Sequence, residues 1–235
     1  MEKILAIATN ASPSLHGKPT GLWLSELTHF LDVIERAGFA YDLASPQGGK
    51  IPIDERRKSL AEQVKSDPVN ARYMADERFR KLLETSPPCA DVDPNDYVAL
   101  YLSGGHGTMF DFRQSMELQR LITELYSDQK PVSGVCHGVS GFIDSLDRDG
   151  QRIVKGKSVT GFSNFEDTLD GSKKLMPFLL EDELKRSGAV YRRNLIPFTK
   201  RVEVDDRLVT GQNPQSAAGV GLELVVELLR RKAAA

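Results

Sequence analysis

Residues 131–141, PVSGVCHGVSG, run from a short apolar segment directly into glycines that flank a cysteine–histidine pair. A brief apolar run closed by turn residues reads as a buried strand. Successive side chains on a strand point to opposite faces, so Cys136 and His137 cannot serve one site while the backbone stays extended. Either the backbone departs from regular strand geometry at the cysteine or the adjacency is an accident. Buried strands of parallel sheets read as continuous apolar runs, and ligands collect at their carboxyl ends.

Similar runs alternate with amphipathic stretches on either side. Lys3–Thr9, Phe39–Ala44 and Tyr97–Leu102 read as buried strands, with Pro131–Val135 as a fourth. Gly21–Ala37 carries Leu24, Leu27, Leu31 and Ile34 at helical spacing and stops at Gly38. Gln114–Ser127 reads as a further helix, Ser158–Thr160 and Ala189–Arg192 as strands, and Val202–Thr210 as a hairpin turning at Asp205-Asp206. A closing helix runs from Pro214 to about Lys232, and the last three alanines are expected to fray. This alternation predicts one α/β domain over residues 1–235, a three-layer sandwich with a mostly parallel central sheet. Residues 52–88, dense in charge and broken at Asp67-Pro68, read as a helical insertion that forms a lid or contact surface.

The chain has 31 Lys plus Arg against 33 Asp plus Glu, a formal net charge of −2. That balance gives no electrostatic ground for a nucleic acid or an anionic membrane as partner. No apolar run is long enough for a bilayer, and Ile4–Ala8 is too short for a secretory core. The two cysteines make no disulfide framework and no zinc cluster, so a cytoplasmic protein with reduced thiols is expected.

Gly134-Val135-Cys136-His137-Gly138 has the form G-x-nucleophile-x-G, in which the flanking glycines relieve crowding at a strand-to-helix turn. A helix beginning at Cys136 would favour its thiolate through the N-terminal dipole. The competing reading is a small buried hydrophobe beside a helix start. Ser103–Asp111, SGGHGTMFD, lacks both GxGxxG and the Walker lysine. Its backbone amides, Gly105 foremost, suit an oxyanion instead, with Gly104 and His106 beside the substrate; the competing reading is an ordinary loop of tight turns. Glu26 sits on its helix among Leu22, Trp23, Phe30 and Val33. It is either lifted to the surface or held inside, where lost hydration raises its pKa and suits it to general acid–base work. Glu26-x-x-His29 matches a metal-ligand spacing, but it has no second copy, and no metal is expected. Glu166 and Asp167 follow a strand and either offer a carboxylate to orient His137 or are plain exposed loop acids.

Through GVCHG together with TGLWLSEL, DLASPQGGKIPID, LSGGHGTMFDF, GKSVTGFSNFED and LVTGQNPQSA, nearly the whole chain resembles the ThiJ/PfpI superfamily. These proteins are relatives of class I glutamine amidotransferases, and the similarity is to the branch of glyoxalase III and the heat-inducible holding chaperones. The resemblance implies a flavodoxin-like core, commonly a homodimer, and conversion of methylglyoxal to lactate without cofactor, glutathione or metal. It implies Cys136 as nucleophile, Glu26 as the buried acid, His137 oriented by Glu166, and the amides of Gly105 and His137 as oxyanion donors. The same resemblance leaves open a holding chaperone, a deglycase acting on glycated or unfolded proteins, a redox sensor and, further off, a peptidase.

Overall fold

The structure, a computed structural model, describes residues 1–234; Ala235, the last of the three alanines expected to fray, lies outside the described residues. Six strands form the central sheet: Lys3–Ile7 (β1), Ala40–Ala44 (β2), Tyr97–Leu102 (β3), Val132–Val135 (β4), Val202–Asp205 (β5) and Leu208–Gly211 (β6). Their order across the sheet is β2-β1-β3-β4-β6-β5, and every pairing is parallel except β5 with β6. Ile4, Leu5, Ala6 and Ile7 are all fully buried, which is why β1 reads as an unbroken apolar run. The crossover direction reverses between β1 and β3, and such a reversal opens a crevice at the carboxyl ends of the strands.

Helices flank this sheet. Leu24–Arg36 (α1) buries Leu24, Leu27, Phe30, Leu31 and Ile34 on one face, the spacing the sequence shows. Phe30 stacks on Tyr101 of β3 with ring centroids 3.5 Å apart, and the Tyr101 hydroxyl donates to the Glu26 carbonyl at 2.6 Å. The first turn of α1 is thereby fixed to the sheet. The insertion forms three helices, Leu60–Ser66 (α2), Pro68–Ala75 (α3) and Glu77–Glu84 (α4). Asp67 caps α3 by accepting from the amides of Val69 and Asn70, with Pro68 at the first helical position. Tyr73, Phe79 and Leu83 of the insertion are buried in the common core.

Met116–Ser127 (α5) precedes β4, and Ala217–Ala234 (α8) closes the chain after a short 3-10 turn at Pro214–Ser216. Ser158–Val159 and Val190–Tyr191 are strands, but they pair with each other in a separate two-stranded sheet. Two helices that the periodicity did not reveal, Asn164–Asp170 (α6) and Leu180–Arg186 (α7), occupy the stretch between them. No described helix is long and apolar enough to cross a membrane.

Candidate active site

Cys136 follows β4 directly and has φ of +55°, a left-handed conformation that a non-glycine residue adopts at a cost of about 1–3 kcal/mol. The bend expected from the glycines is present, and it turns into a seven-residue 3-10 helix, Cys136–Phe142. Glu26, in the first turn of α1, is 0% exposed, and neither carboxyl oxygen has a hydrogen-bond partner of ordinary geometry among the described residues. Gly104 shows how near it lies to the cysteine. A Cβ on that glycine would sit 2.3 Å from Glu26 Oε2 and 2.8 Å from Cys136 Cβ. The carboxyl and the cysteine thus share one gap that only glycine leaves open.

Burial is the largest influence on both groups. It raises the Glu26 pKa well above the usual carboxylate range, and contacts with the Cys136 thiol and the Gly104 amide reverse this only in part. Burial likewise pushes the Cys136 thiol up, a facing Glu26 carboxylate adds to the rise, and the His137 N–H opposes it. The thiolate-favouring dipole expected at Cys136 is therefore overridden. At 4% exposure the sulfur loses more from missing water than a short 3-10 helix returns. The two acids form a coupled pair, and with Glu26 protonated its charge no longer burdens the thiol.

His137 is fully buried; its Nδ1 lies 3.6 Å from Cys136 Sγ and its Nε2 lies 3.1 Å from Asp167 Oδ1. The carboxylate that meets His137 is therefore that of Asp167 and not of Glu166. Glu166 faces away and accepts from Ser163, Phe198, Gln212 and Asn213. The cause is local: Ser163 and Glu166 form a capping box at the start of α6, which turns Glu166 back toward the helix N-terminus. The next residue around the helix then meets His137. Burial alone would raise Asp167, but His137, with His106 and Ser172 behind it, outweighs that and holds the carboxyl below its usual value.

His106, expected beside the substrate, also belongs to a polar chain behind His137. It lines the cavity, yet Nδ1 accepts from Arg56 Nη2 at 2.6 Å, so the ring proton sits on Nε2. Nε2 lies 3.1 Å from Ser172 Oγ and 3.4 Å from Asp170 Oδ2, while Ser172 donates to Asp167 Oδ1 at 2.9 Å. Burial and the neighbouring His137 lower the His106 pKa to about 4. Asp54 in turn holds Arg56 at 2.8 Å. Donors along this chain run toward Asp167, which leaves His137 Nε2–H to donate to Asp167 and Nδ1 free to accept the thiol proton. Asp54, Arg56, Asp170 and Ser172 escaped sequence reasoning; IPIDERR lies inside the insertion, far in sequence from the elbow.

His106, His137 and Asp167 bring potential ligand atoms within 4.8 Å of one another. Their nitrogen and oxygen atoms already serve each other, and the Arg56 guanidinium abuts the cluster, an arrangement that suits proton relay better than a cation. Glu26 and His29 diverge: His29 Nε2 pairs with Asp67 of the insertion at 2.7 Å. Gly105 has φ of +106°, and its amide meets no backbone carbonyl among the described residues, which leaves it available to a substrate oxygen. Gly104 instead ties down the helix, its carbonyl accepting from Trp23 N at 3.3 Å. Above Cys136 opens a cavity of ≈ 510 Å³ walled by Trp23, Phe162, Leu169 and Phe198.

The chain as a whole has close parallels. The chain is 31% identical over 224 residues to the glutathione-independent glyoxalase HSP31 of Saccharomyces cerevisiae, covering 92% of this chain and 93% of that protein. The crystal structure of glyoxalase III from Candida albicans superposes with a TM-score of 0.83 at 28% identity, covering 96% and 97% of the two chains. The Rapid Encystment Protein of Francisella tularensis superposes with a TM-score of 0.90 at 34% identity, covering 97% and 99%. Residues 20–227 match the model of the DJ-1/PfpI family, and the chain belongs to that family.

Proposed function

We propose that the protein is a cofactor-independent glyoxalase that converts 2-oxoaldehydes to 2-hydroxy acids through a hemithioacetal on Cys136. One observation carries this reading: a buried carboxyl without a charged partner lies against the sulfur of a strained elbow. The likeness to named glyoxalases over most of the chain supports it.

In this mechanism His137 Nδ1 takes the thiol proton as sulfur attacks the aldehyde carbon, and Glu26 protonates the aldehyde oxygen. Glu26, now ionised, removes the hydrogen from the former aldehyde carbon and returns it to the adjacent carbon. The remaining hydroxyl proton passes between the two substrate oxygens, and a thioester of the 2-hydroxy acid results. Water, deprotonated by Glu26, then adds to the thioester, and the departing sulfur recovers its proton from His137. One water is consumed and both residues regain their starting states. Neutral Glu26 suits the first step because an ionised carboxylate would repel both thiolate and oxyanion.

Purified protein should form lactate from methylglyoxal in equal amount without glutathione; absence of lactate would remove the reading. Asp167→Asn is expected to lower kcat by about 10²–10⁴, since an amide at this position admits the wrong imidazole tautomer. A kcat within threefold of wild type would show that Asp167 does not orient His137.

The buried thiol also bears on the redox-sensor alternative, because oxidation follows exposure and thiolate character, and Cys136 has little of either. Both cysteines are free, and the reading places the protein in a reducing cytoplasm. The homodimer that the family resemblance implies belongs to the same reading and is supported by Leu222, Val226 and Leu229 exposed along α8. Sedimentation at a monomer's mass would remove it.

A further inference from the structure

Phe198 has φ of +57°, a left-handed conformation that must be enforced by its surroundings. The enforcing group is Glu166. Its Oε1 accepts from the Phe198 amide at 2.8 Å and Asn213 Nδ2 at 2.9 Å. Its Oε2 accepts from the Ser163 amide at 3.0 Å, Ser163 Oγ at 2.8 Å and Gln212 Nε2 at 2.9 Å. Five donors thus converge on one fully buried carboxylate, which ties α6, the 194–199 loop and the segment after β6 together.

This hub holds a ring in the cavity wall. The Phe198 centroid is 6.1 Å from Phe162, and Phe162 is 4.6 Å from His137. Aromatic rings therefore lead without a break from the histidine beside Cys136 to the cavity rim, where Trp23 and Leu169 continue the apolar lining. A three-carbon 2-oxoaldehyde has five heavy atoms and fills on the order of 100 Å³, judged from the share of one water in the liquid. The cavity of ≈ 510 Å³ leaves most of this walled space for a substituent. A second, polar cavity of ≈ 320 Å³ shares Trp23, Ser25 and Arg57 with the first. The ring wall shares its cavity with Cys136, whereas the polar annex, lined by Asp54, Lys58, Gln63 and Asp67, does not reach the sulfur, so the apolar substituent is favoured.

Building on the glyoxalase reading above, we propose that Phe198, positioned by Glu166, determines specificity. The favoured substrates are then 2-oxoaldehydes that carry an aromatic or bulky apolar group on the keto carbon. Rings prefer offset or tilted neighbours at such centroid distances, and an aryl substituent between Phe162 and Phe198 meets them in that way.

The test compares kcat/KM for methylglyoxal, phenylglyoxal and 3-deoxyglucosone in the wild type, Phe198→Ala, Phe198→Leu and Glu166→Gln. The wild type should prefer phenylglyoxal to methylglyoxal by about tenfold or more. Phe198→Ala should reduce that ratio about tenfold, and Phe198→Leu should keep most of it. Glu166→Gln should shift the ratio as Phe198→Ala does, mainly through KM, while the pH profile of kcat keeps its wild-type shape. If Glu166→Gln fails to fold, the two Phe198 variants decide. A wild type without aryl preference, one favouring 3-deoxyglucosone, or a ratio indifferent to Phe198→Ala overturns the proposal while methylglyoxal turnover keeps the glyoxalase reading. Turnover of none of the three aldehydes overturns both.

Discussion

Replacing Cys136 by alanine is expected to abolish lactate formation from methylglyoxal, a fall in kcat of at least about 10⁴-fold. The bend that presents the sulfur is built by the neighbouring backbone. Gly138 lies so close to β3 that a Cβ there would come within 2.6 Å of the Ser103 carbonyl. The alanine variant keeps those glycines, so its circular dichroism and melting temperature should stay near wild type. Deleting one sulfur from a buried site that already holds strain leaves folding largely unaffected. Lactate formation at a wild-type rate by this variant would mean that no covalent adduct is required.

Glu26→Gln is expected to be nearly as severe, lowering kcat by about 10²–10⁴, because an amide of the same shape cannot carry a proton between substrate atoms. Its effect on stability runs the other way. Folded Glu26 keeps its proton to higher pH than in the unfolded chain, where the reference value is 4.5. Its contribution to stability is fully present below that value and is lost as pH rises through the folded-state pKa, at about 1.4 kcal/mol per unit of separation. The glutamine variant does not suffer that loss. It should match the wild-type melting temperature near pH 4.5 and exceed it at alkaline pH. Equal melting temperatures across the whole range would mean that Glu26 is not held neutral by burial.

The strands of the central sheet were legible because parallel strands buried on both faces carry continuous apolar runs, as KILAI and YVALYL do. The elbow was legible because glycine spacing reports backbone geometry directly. Helices α6 and α7 were not, since each spans only seven residues and shows barely two turns of periodicity. Without α6 the residues left two adjacent acids open, and only the family resemblance put Glu166 at His137. The pattern Ser163-x-x-Glu166 is a capping-box signature visible in the sequence, and it commits Glu166 to the helix start while leaving Asp167 to face His137. The Asp54–Arg56–His106 chain was invisible for another reason. It joins the insertion to the glycine loop across some 50 residues, and no local pattern encodes such a meeting.

A buried, raised-pKa Glu26 was one of two readings open in the sequence, whereas the state of the thiol lay beyond it. A helix start at Cys136 argues for a low thiol pKa, and only burial shows that missing water dominates. In the proposed chemistry Glu26 then acts as the proton store of the pair rather than as a spectator charge.

The infrared difference spectrum between wild type and Glu26→Gln at neutral pH reads that store directly. A protonated-carboxyl C=O band present only in the wild type, and disappearing only as the solution is made alkaline, is the expected result. Carboxylate bands alone at neutral pH would show Glu26 already ionised beside the sulfur and would contradict the acid role that the proposed chemistry gives it.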